Sequence, residues 1–295
     1  MELKGKHMST LRSILASYQR STGSSWNLIE QDYALSLILH GISQVEELKE
    51  HLVFKGGTCL RKYYFGDYRF SQDADFSVQG EYPRGDLLQS LLTQACGIAA
   101  HYLHQKNINA YFDCMRYVEK NPHPTNQEAF TSAIQYPWHR QPLTRVMVEI
   151  TSAERVVLKP IEKSIIHGYE ANFNADLLIY PLEEMIAEKI RALIQFHKKL
   201  HERGWGRSRA RDYYDVWRIF QSYQNLIDHS LIDYVVREKC ATKNLVFEGY
   251  HQIFSDELMD DLNDSWERWV RPLVHSNLPD VFYVIDDLKK YLSIF

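Results

Sequence analysis

The sequence predicts an α+β fold in which a lobe built on a mixed sheet is followed by a helical lobe. Between His51 and about residue 180, short apolar runs alternate with turns, which is the pattern of strands. After Pro181, apolar residues recur at three- and four-residue intervals almost to the end of the chain, which is typical of helices. We therefore expect two domains, residues 1–180 and residues 181–295.

The first 50 residues favour helices that pack in front of the sheet. Trp26, Ile29, Tyr33 and Leu37 follow one another at helical spacing until Gly41, which we expect to interrupt the run.

The predicted sheet has five strands and one long helix among them, from about Arg84 to Gln105. Pro122 and Pro124 predict a loop between the third strand and the fourth. The segments predicted to contain the strands are HLVFKGG, ADFSV, NAYFDCMRYV, AFTSAIQYP and RVMVEIT.

The composition limits the location and the partners of the protein. Its 295 residues are 45% hydrophobic, which suffices for a large core, and its net charge of −4 gives no overall attraction to nucleic acid or membrane. The cysteines have neither metal-ligand spacing nor a disulfide pattern, and we expect a cytoplasmic protein. No segment approaches the ~20 apolar residues of a membrane span. The cysteines are Cys59, Cys96, Cys114 and Cys240.

The strongest local signal is the segment FKGGTCLRKYYFGDYRFSQDADFSV, in which a predicted strand ends at a glycine pair and a threonine. Gly56 and Gly57 allow backbone N–H groups to approach a phosphate closely. The helix that we expect beyond them adds a dipole that favours negative charge. Gly56, Gly57 and Thr58 are therefore predicted to bind the triphosphate of a nucleotide.

Asp73 and Asp75 open the next predicted strand. Residues two apart on a strand point to the same side, so both carboxylates should project from one face of the sheet. Adjacent carboxylates suit Mg²⁺ or Mn²⁺, and a divalent cation keeps both of them ionised. An acidic pair alone also fits an ordinary polar strand end, but the upstream glycine pair favours the metal site.

A site for two metal ions needs a third carboxylate, and the strand TRVMVEIT supplies Glu149. Strand alternation places Glu149 on the face opposite Val146, Val148 and Ile150. Glu149 is thus a candidate metal ligand, and a solvated strand residue is the alternative.

Lys189 occupies an unexpected position on the helix predicted to begin near Leu182. At about 100° per residue, Lys189 falls in the middle of the apolar stripe, and three charged residues fall on the opposite side. A lysine that faces the core needs a buried anionic partner, which a nucleotide phosphate would provide and an internal salt bridge would provide equally. The stripe consists of Leu182, Met185, Ile186, Ile190, Leu193 and Phe196, and the residues opposite are Glu184, Glu188 and Arg191.

The segment RARDYYDVWRIF predicts the next helix, with Asp212 at the margin of its apolar stripe and Asp215 further round. Asp212 is therefore the better candidate for an active site, although an aspartate near a helix start is often a cap or dipole partner. The stripe consists of Tyr213, Val216, Trp217 and Phe220.

A basic segment, KKLHERGWGRSRAR, connects these two helices. Its positive charge would hold RNA phosphates while Trp205 stacks on a base, and an ordinary solvated loop is an alternative of equal weight. The candidate RNA-binding residues are Lys198, Lys199, Arg203, Arg207 and Arg209.

In their order and spacing, these segments resemble the AbiEii/AbiGii toxin family of nucleotidyltransferases, which includes toxins of type IV toxin–antitoxin and abortive-infection systems and MenT-type toxins. The resemblance covers most of residues 26–220 and implies a polymerase-β-like nucleotidyltransferase lobe followed by a helical lobe. The matching segments are IEQDYALS, VFKGGTCLRK, RFSQDADFSV, VEI, PLEEMIAEKIRAL and RARDYYDVWRI.

The resemblance also implies the roles of individual residues. The third acidic position is Glu149 in this sequence, whereas the family has Asp there as often as Glu. No family motif follows Gln224. The catalytic residues that the resemblance implies are Asp73, Asp75, Lys189 and Asp212. Further residues expected near the nucleotide are Gly56, Gly57, Thr58, Arg69 and Ser71.

We therefore expect an enzyme that transfers a nucleoside monophosphate from an NTP to an acceptor hydroxyl, at the 3′ end of a tRNA, with Mg²⁺ as cofactor. A cognate antitoxin is the further expected partner. One alternative keeps this chemistry but uses a protein or an aminoglycoside-like acceptor, and another is a nucleotide- or antitoxin-binding module without turnover. Charge reversal at Arg207 and Arg209 should abolish modification only if the acceptor is RNA.

Overall fold

The computed structural model describes residues 2–117 and 127–293, so the loop predicted at Pro122 and Pro124 lies outside the described residues. The chain divides into two compact units. The first unit comprises Met1–Ala153 and Pro160–Ile179, and the second comprises Glu154–Lys159 and Tyr180–Phe295.

Helices precede the sheet in the first unit, as the periodicity of the first 50 residues predicts. The second of these helices begins at Trp26 because the Ser25 side chain accepts a hydrogen bond from the Leu28 N–H. The helices of this unit are α1 (Glu2–Thr22), α2 (Trp26–Ser43), α3 (Glu46–His51), α4 (Gly56–Cys59), which a π-helix (Leu60–Phe65) continues, and α5 (Gly85–Gln105).

Gly41 does not interrupt α2, contrary to our expectation, because the helix continues to Ser43. The glycine instead permits close packing between α2 and α5. A Cβ atom at Gly41 would lie 2.1 Å from the carbonyl oxygen of Ala95.

The described strands of the first unit form one seven-stranded mixed sheet, which confirms the predicted fold class. They are β1 (Leu52–Lys55), β2 (Asp73–Val78), β3 (Tyr111–Arg116), β4 (Gln127–Gln135), β5 (Thr144–Thr151), β6 (Ile161–Ser164) and β7 (Asp176–Ile179). Their order is β3-β4-β5-β2-β1-β7-β6, with β2 antiparallel to β1 and parallel to β5. Strands β6 and β7 were not predicted from the sequence.

A buried ionic cluster joins α2 to the π-helix and connects the segments IEQDYALS and TCLRK. Asp32 accepts hydrogen bonds from Arg61 Nε at 2.8 Å, Lys62 Nζ at 2.7 Å and the Tyr169 hydroxyl at 2.8 Å. Burial acts to raise the pKa of Asp32, but Arg61 and Lys62 outweigh it and hold that pKa well below its usual range. Burial in turn lowers the pKa of Lys62 to about 8. The cluster fixes the segment that follows the glycine pair.

The second unit is built from helices. The first of these helices begins at Leu182, and we expected Glu184 and Arg191 on its solvent-exposed side, opposite the apolar stripe. Both residues are instead buried. Glu184 accepts hydrogen bonds from the N–H groups of Val157 and Leu158, both at 2.9 Å, and lies 2.9 Å from Lys239 Nζ. The helices are α6 (Leu182–Arg203), α7 (Ala210–Tyr223), α8 (His229–Thr242), α9 (Asp256–Trp269) and α10 (Val281–Leu292), with short 3₁₀ turns at Gln224–Leu226, Tyr250–Phe254 and Arg271–Leu273.

Within residues 2–117 and 127–293, no helix combines the length and the apolar character that crossing a membrane requires. The four cysteines are buried free thiols.

Candidate active site

The turn between β1 and α4 brings the backbone of the glycine pair against the acidic strand. Gly56 has a φ of +79°, a conformation that side chains other than glycine rarely adopt. A Cβ atom at Gly56 would lie 2.4 Å from Oδ2 of Asp75. The Asp75 carboxylate thus occupies space that exists only because residue 56 is glycine.

Gly57 makes a second close approach, to the two polar residues that precede the acidic pair. A Cβ atom at Gly57 would lie 2.6 Å from Nη2 of Arg69 and 3.0 Å from Oγ of Ser71. Arg69 is buried, and its Nη1 donates to the Phe70 carbonyl at 3.1 Å. A guanidinium, a hydroxyl and the amino end of α4, which has no side-chain cap from Lys55, therefore surround the Gly57 backbone. Donors of this kind suit an anion.

Thr58 ties α4 to the acidic strand. Its buried hydroxyl donates to the backbone carbonyl of Asp73 at 2.5 Å. The Thr58 side chain therefore contacts the strand that carries the carboxylates, whereas a phosphate would meet its backbone N–H.

Asp73 and Asp75 lie on one face of β2, which begins at Asp73, as the sequence predicts. Ala74 and Phe76, on the other face, are completely buried and anchor the strand. The neighbouring strand β5 places Glu149 in register with Asp75, and residues paired in this way point to the same side of the sheet.

The Glu149 carboxylate forms a hydrogen bond with a side chain of the adjacent strand β4. Its Oε2 atom accepts a hydrogen bond from Gln127 Nε2 at 2.8 Å. Among the described residues, no three His, Cys, Asp or Glu side chains are grouped closely enough to form a ready-made metal site. Asp73 and Asp75 supply two hard oxygen donors, and Glu149 would have to turn from Gln127 to supply a third.

Lys55 is a further residue of this site, and it was not predicted from the sequence. This residue is 6% exposed and lies in register with Asp75 on the antiparallel side, so Lys55, Asp75 and Glu149 form one row across β1, β2 and β5. The signal for Lys55 was its position directly before the glycine pair, at the end of an otherwise apolar strand. A buried lysine beside the acidic pair offsets part of the negative charge of this face.

In the second unit, Lys189 is buried in the middle of the α6 stripe, as the sequence predicts, and its ammonium is paired with two carboxylates. Lys189 Nζ lies 2.5 Å from Asp215 Oδ2 and 3.1 Å from Asp212 Oδ1. This arrangement is the internal salt bridge, one of the two alternatives that the sequence left open. The assignment of Lys189 to a nucleotide stays a prediction.

The burial of Asp215 differs from what the periodicity of α7 predicts. We expected Asp215 further from the core than Asp212, yet Asp215 is completely buried while the Asp212 side chain is 16% exposed. The reason is that α7 packs against more than one helix, including α6, α9 and α10, whereas the apolar stripe marks a single face. Burial acts to raise the pKa of Asp212, but Lys189 and Arg209 outweigh it, and the net effect lowers that pKa.

The basic segment does not form a uniform cationic surface. Arg209 lies 3.5 Å from Asp212 Oδ2, and Ser208 Oγ lies 2.8 Å from Asp261 Oδ2 of the acidic helix α9. Lys198 pairs weakly with Glu202 at 3.9 Å. The exposed lysines and arginines of the segment are Lys198, Lys199, Arg203 and Arg207, and Trp205 is exposed as well.

The family model that describes the nucleotidyltransferase AbiEii toxin of type IV toxin–antitoxin systems matches residues 38–291. The chain belongs to this AbiEii family. It is a nucleotidyltransferase. The AbiEii match also extends well beyond Gln224, where the sequence motifs end.

The fold of the AbiEii chain is similar to a solved structure of MenT4, a nucleotidyltransferase toxin from Mycobacterium tuberculosis H37Rv. The two chains are 17% identical and superpose with a TM-score of 0.62, over 96% of this chain and 88% of MenT4. No curated protein sequence matches the chain.

Proposed function

We propose that this AbiEii chain transfers a nucleoside monophosphate from an NTP to the 3′-hydroxyl of a tRNA, with Asp73 and Asp75 holding Mg²⁺. The observation that carries the proposal is the position of the Asp75 carboxylate against the Gly56 backbone. This contact supports the proposal because it sets the carboxylate of β2, which would hold the cation, against the glycine turn between β1 and α4, which would bind the phosphates.

The residues present fit a divalent cation. Asp73 and Asp75 provide carboxylate oxygens on the same face of β2, and such oxygens are the ligands that Mg²⁺ and Mn²⁺ prefer. Glu149 is the candidate third ligand because of its register with Asp75. When bound, the cation would polarise the phosphate and offset the negative charge that develops during transfer.

The triphosphate is assigned to the backbone N–H groups of Gly56, Gly57 and Thr58, with Arg69 and Ser71 beside them. In the reaction, the acceptor oxygen bonds to the α-phosphorus, and the bond from that phosphorus to the β-phosphate oxygen breaks. Pyrophosphate leaves with the electron pair, and the hydroxyl proton is released to solvent. Arg69 stabilises the charge on the phosphates, because a guanidinium keeps its charge even when it is buried.

We assign Lys189 and Asp212 a supporting role in the same activity. Lys189 pairs with both Asp212 and Asp215, and Arg209 pairs with Asp212, so the three ion pairs form one network in the second unit. A buried network of this kind fixes the relative position of α6 and α7.

The test is incubation of the purified chain with total tRNA, Mg²⁺ and each of the four labelled NTPs in turn. We expect label on the RNA with at least one NTP, and loss of labelling in Asp73→Ala and Asp75→Ala. Asp113→Ala is the matched control, because Asp113 lies on β3 away from the glycine turn. Label on the protein or on a small molecule would show that the acceptor is a protein or a small molecule and not RNA. Labelling activity that survives both substitutions would contradict the assignment of Asp73 and Asp75 as metal ligands.

A further inference from the structure

The first unit contains a groove of about 610 Å³ that the proposed chemistry does not use. It is lined by side chains from α1, the start of α2, the loop after β4 and the start of β5. The residues that matter for its chemistry are Arg12, Trp26, Gln31, Trp138, His139 and Arg145.

Two tryptophans form an aromatic wall. The rings of Trp26 and Trp138 lie 6.3 Å apart, and both side chains are partly exposed. Trp138 is held firmly, because it stacks on buried Tyr136 at 4.9 Å with an angle of 4° and its Nε1 donates to Glu30 Oε1 at 2.6 Å. A fixed, partly exposed indole is a suitable surface for stacking of an unpaired base.

The charge of the groove is positive at its accessible edge. Arg12 and Arg145 are exposed, and neither forms an ion pair with a residue that the structure describes. The acidic lining residue, Glu30, is 3% exposed and already accepts hydrogen bonds from Trp138 and His139. Arginines beside aromatic rings match the phosphates and bases of a single strand better than they match an apolar peptide.

One polar atom of the wall lacks a partner. His139 Nε2 lies 3.0 Å from Glu30 Oε1, and the His139 side chain is 8% exposed. Its Nδ1 atom has no hydrogen-bond partner in the part of the chain that the structure describes. The lining of the groove thus contains a buried polar atom whose hydrogen-bonding capacity the described residues do not use.

The groove lies next to the acidic strand. Gln31 Nε2 donates to the carbonyl of Arg145 at 2.8 Å and to that of Gln72, the residue before Asp73, at 3.4 Å. Arg145 is two residues before Met147, which is in register with Asp73, so it lies roughly 7 Å back along the strand. Arg145 and Glu149 point to the same side of β5 as Asp73 and Asp75 do on β2.

We propose that this groove holds the single-stranded 3′ end of the acceptor RNA. Bases stack on Trp26 and Trp138, and phosphates meet Arg12 and Arg145. The inference rests on the proposed function, because that function supplies the RNA acceptor, but it assigns the RNA to this groove instead of the basic segment. A paired stem cannot stack on these rings, so an unpaired end is the expected occupant.

The test is binding of a 5′-fluorescein-labelled, single-stranded RNA octanucleotide with a free 3′-hydroxyl to the full chain, without NTP or metal. We expect Arg12→Glu and Arg145→Glu each to weaken binding about tenfold or more and to reduce the salt slope by about 1. Trp26→Ala should weaken binding on the order of tenfold with an unchanged salt slope, because stacking is not ionic. Arg207→Glu and Trp205→Ala in the basic segment are the matched controls and should bind as the unaltered chain does.

A second measurement needs no variant. Photo-crosslinking of the unaltered chain to the same octanucleotide with 4-thiouridine near its 3′ end should label peptides that contain Trp26 or Trp138. Crosslinks at Trp205, or loss of binding in the control variants alone, would overturn the inference. So would an absence of RNA binding at low salt, which would favour a protein ligand for the groove.

The two proposals can fail separately. If RNA binds in the groove but accepts no label from any NTP, the proposed transfer is wrong and the groove assignment stands. If RNA is labelled but the groove variants change neither its binding nor its KM, the groove assignment is wrong and the transfer stands.

Discussion

The Asp75 carboxylate lies against the Cα atom of Gly56, so close that a Cβ atom at residue 56 would come within 2.4 Å of Oδ2. The Asp75 carboxylate can occupy this position only because residue 56 has no Cβ atom. The φ of +79° at Gly56 also favours glycine at this position, because other residues rarely adopt it.

Gly56→Ala should therefore displace Asp75 and reduce nucleotidyl transfer by about 100-fold, the scale expected when a catalytic group moves by about 1 Å. The strained backbone should also reduce the free energy of unfolding by about 1 kcal/mol. Steady-state labelling and urea unfolding measure the two effects. Gly23→Ala is the control, because Gly23 has a φ of +66° with nothing within 4 Å of the added Cβ. The prediction is wrong if both variants lose activity equally.

Glu149→Gln tests the third ligand. Glutamine keeps an acceptor oxygen for Gln127 but binds Mg²⁺ poorly, so the Mg²⁺ concentration for half-maximal activity should rise on the order of tenfold. A Mg²⁺ titration of the labelling rate measures it. Gln127→Ala removes the hydrogen bond and leaves the carboxylate, and should not raise that concentration. An unchanged titration in Glu149→Gln would leave Asp73 and Asp75 as the metal ligands and exclude Glu149.

Asp215→Asn should destabilise the protein more than Asp212→Asn does. Asp215 is completely buried and lies 2.5 Å from the Lys189 ammonium, so its neutralisation leaves a buried charge with a weaker partner and should cost about 3 kcal/mol. Asp212 is more exposed, and its neutralisation should cost about 1 kcal/mol. Urea unfolding followed by tryptophan fluorescence compares the two variants. The reverse order would mean that Asp212 is the main partner of Lys189.

His167 should make the protein less stable in mild acid. Its ring stacks on Phe173 at 4.0 Å, and neither ring nitrogen has a hydrogen-bond partner among the described residues. Burial, together with the charge of Lys62, lowers the pKa of His167 to about 3. The unfolded chain, with a histidine pKa near 6.5, therefore binds more protons between these two values, and the free energy of unfolding falls as the pH drops below about 6.5.

Between pH 7 and pH 5, His167 should account for a loss of about 2 kcal/mol. His167→Phe keeps a stacking ring without a titrating group, so its free energy of unfolding should change less over this range. Urea unfolding at the two pH values measures the difference. His40→Phe is the comparison, because His40 Nδ1 has a partner in the Asn174 carbonyl at 2.6 Å. Equal pH dependence of the unaltered chain and His167→Phe would contradict the assignment.

Features that depend on local periodicity could be predicted from the amino-acid sequence alone. Alternation along β2 fixed the common face of Asp73 and Asp75, and the same alternation put Glu149 opposite three buried residues of β5. Helical spacing put Lys189 on the buried stripe of α6. Each of these facts follows from residues within one strand or helix, whose geometry repeats every two or 3.6 residues.

Contacts between residues that are distant in the sequence could not be predicted in this way, because they depend on the tertiary packing. Strand order placed Glu149 and Lys55 on either side of Asp75, and helix packing buried Asp215 beside Lys189. The groove joins α2 to a loop more than a hundred residues later, as the hydrogen bond from Trp138 to Glu30 shows. No local pattern encodes such pairs, because their distances depend on how complete strands and helices pack together.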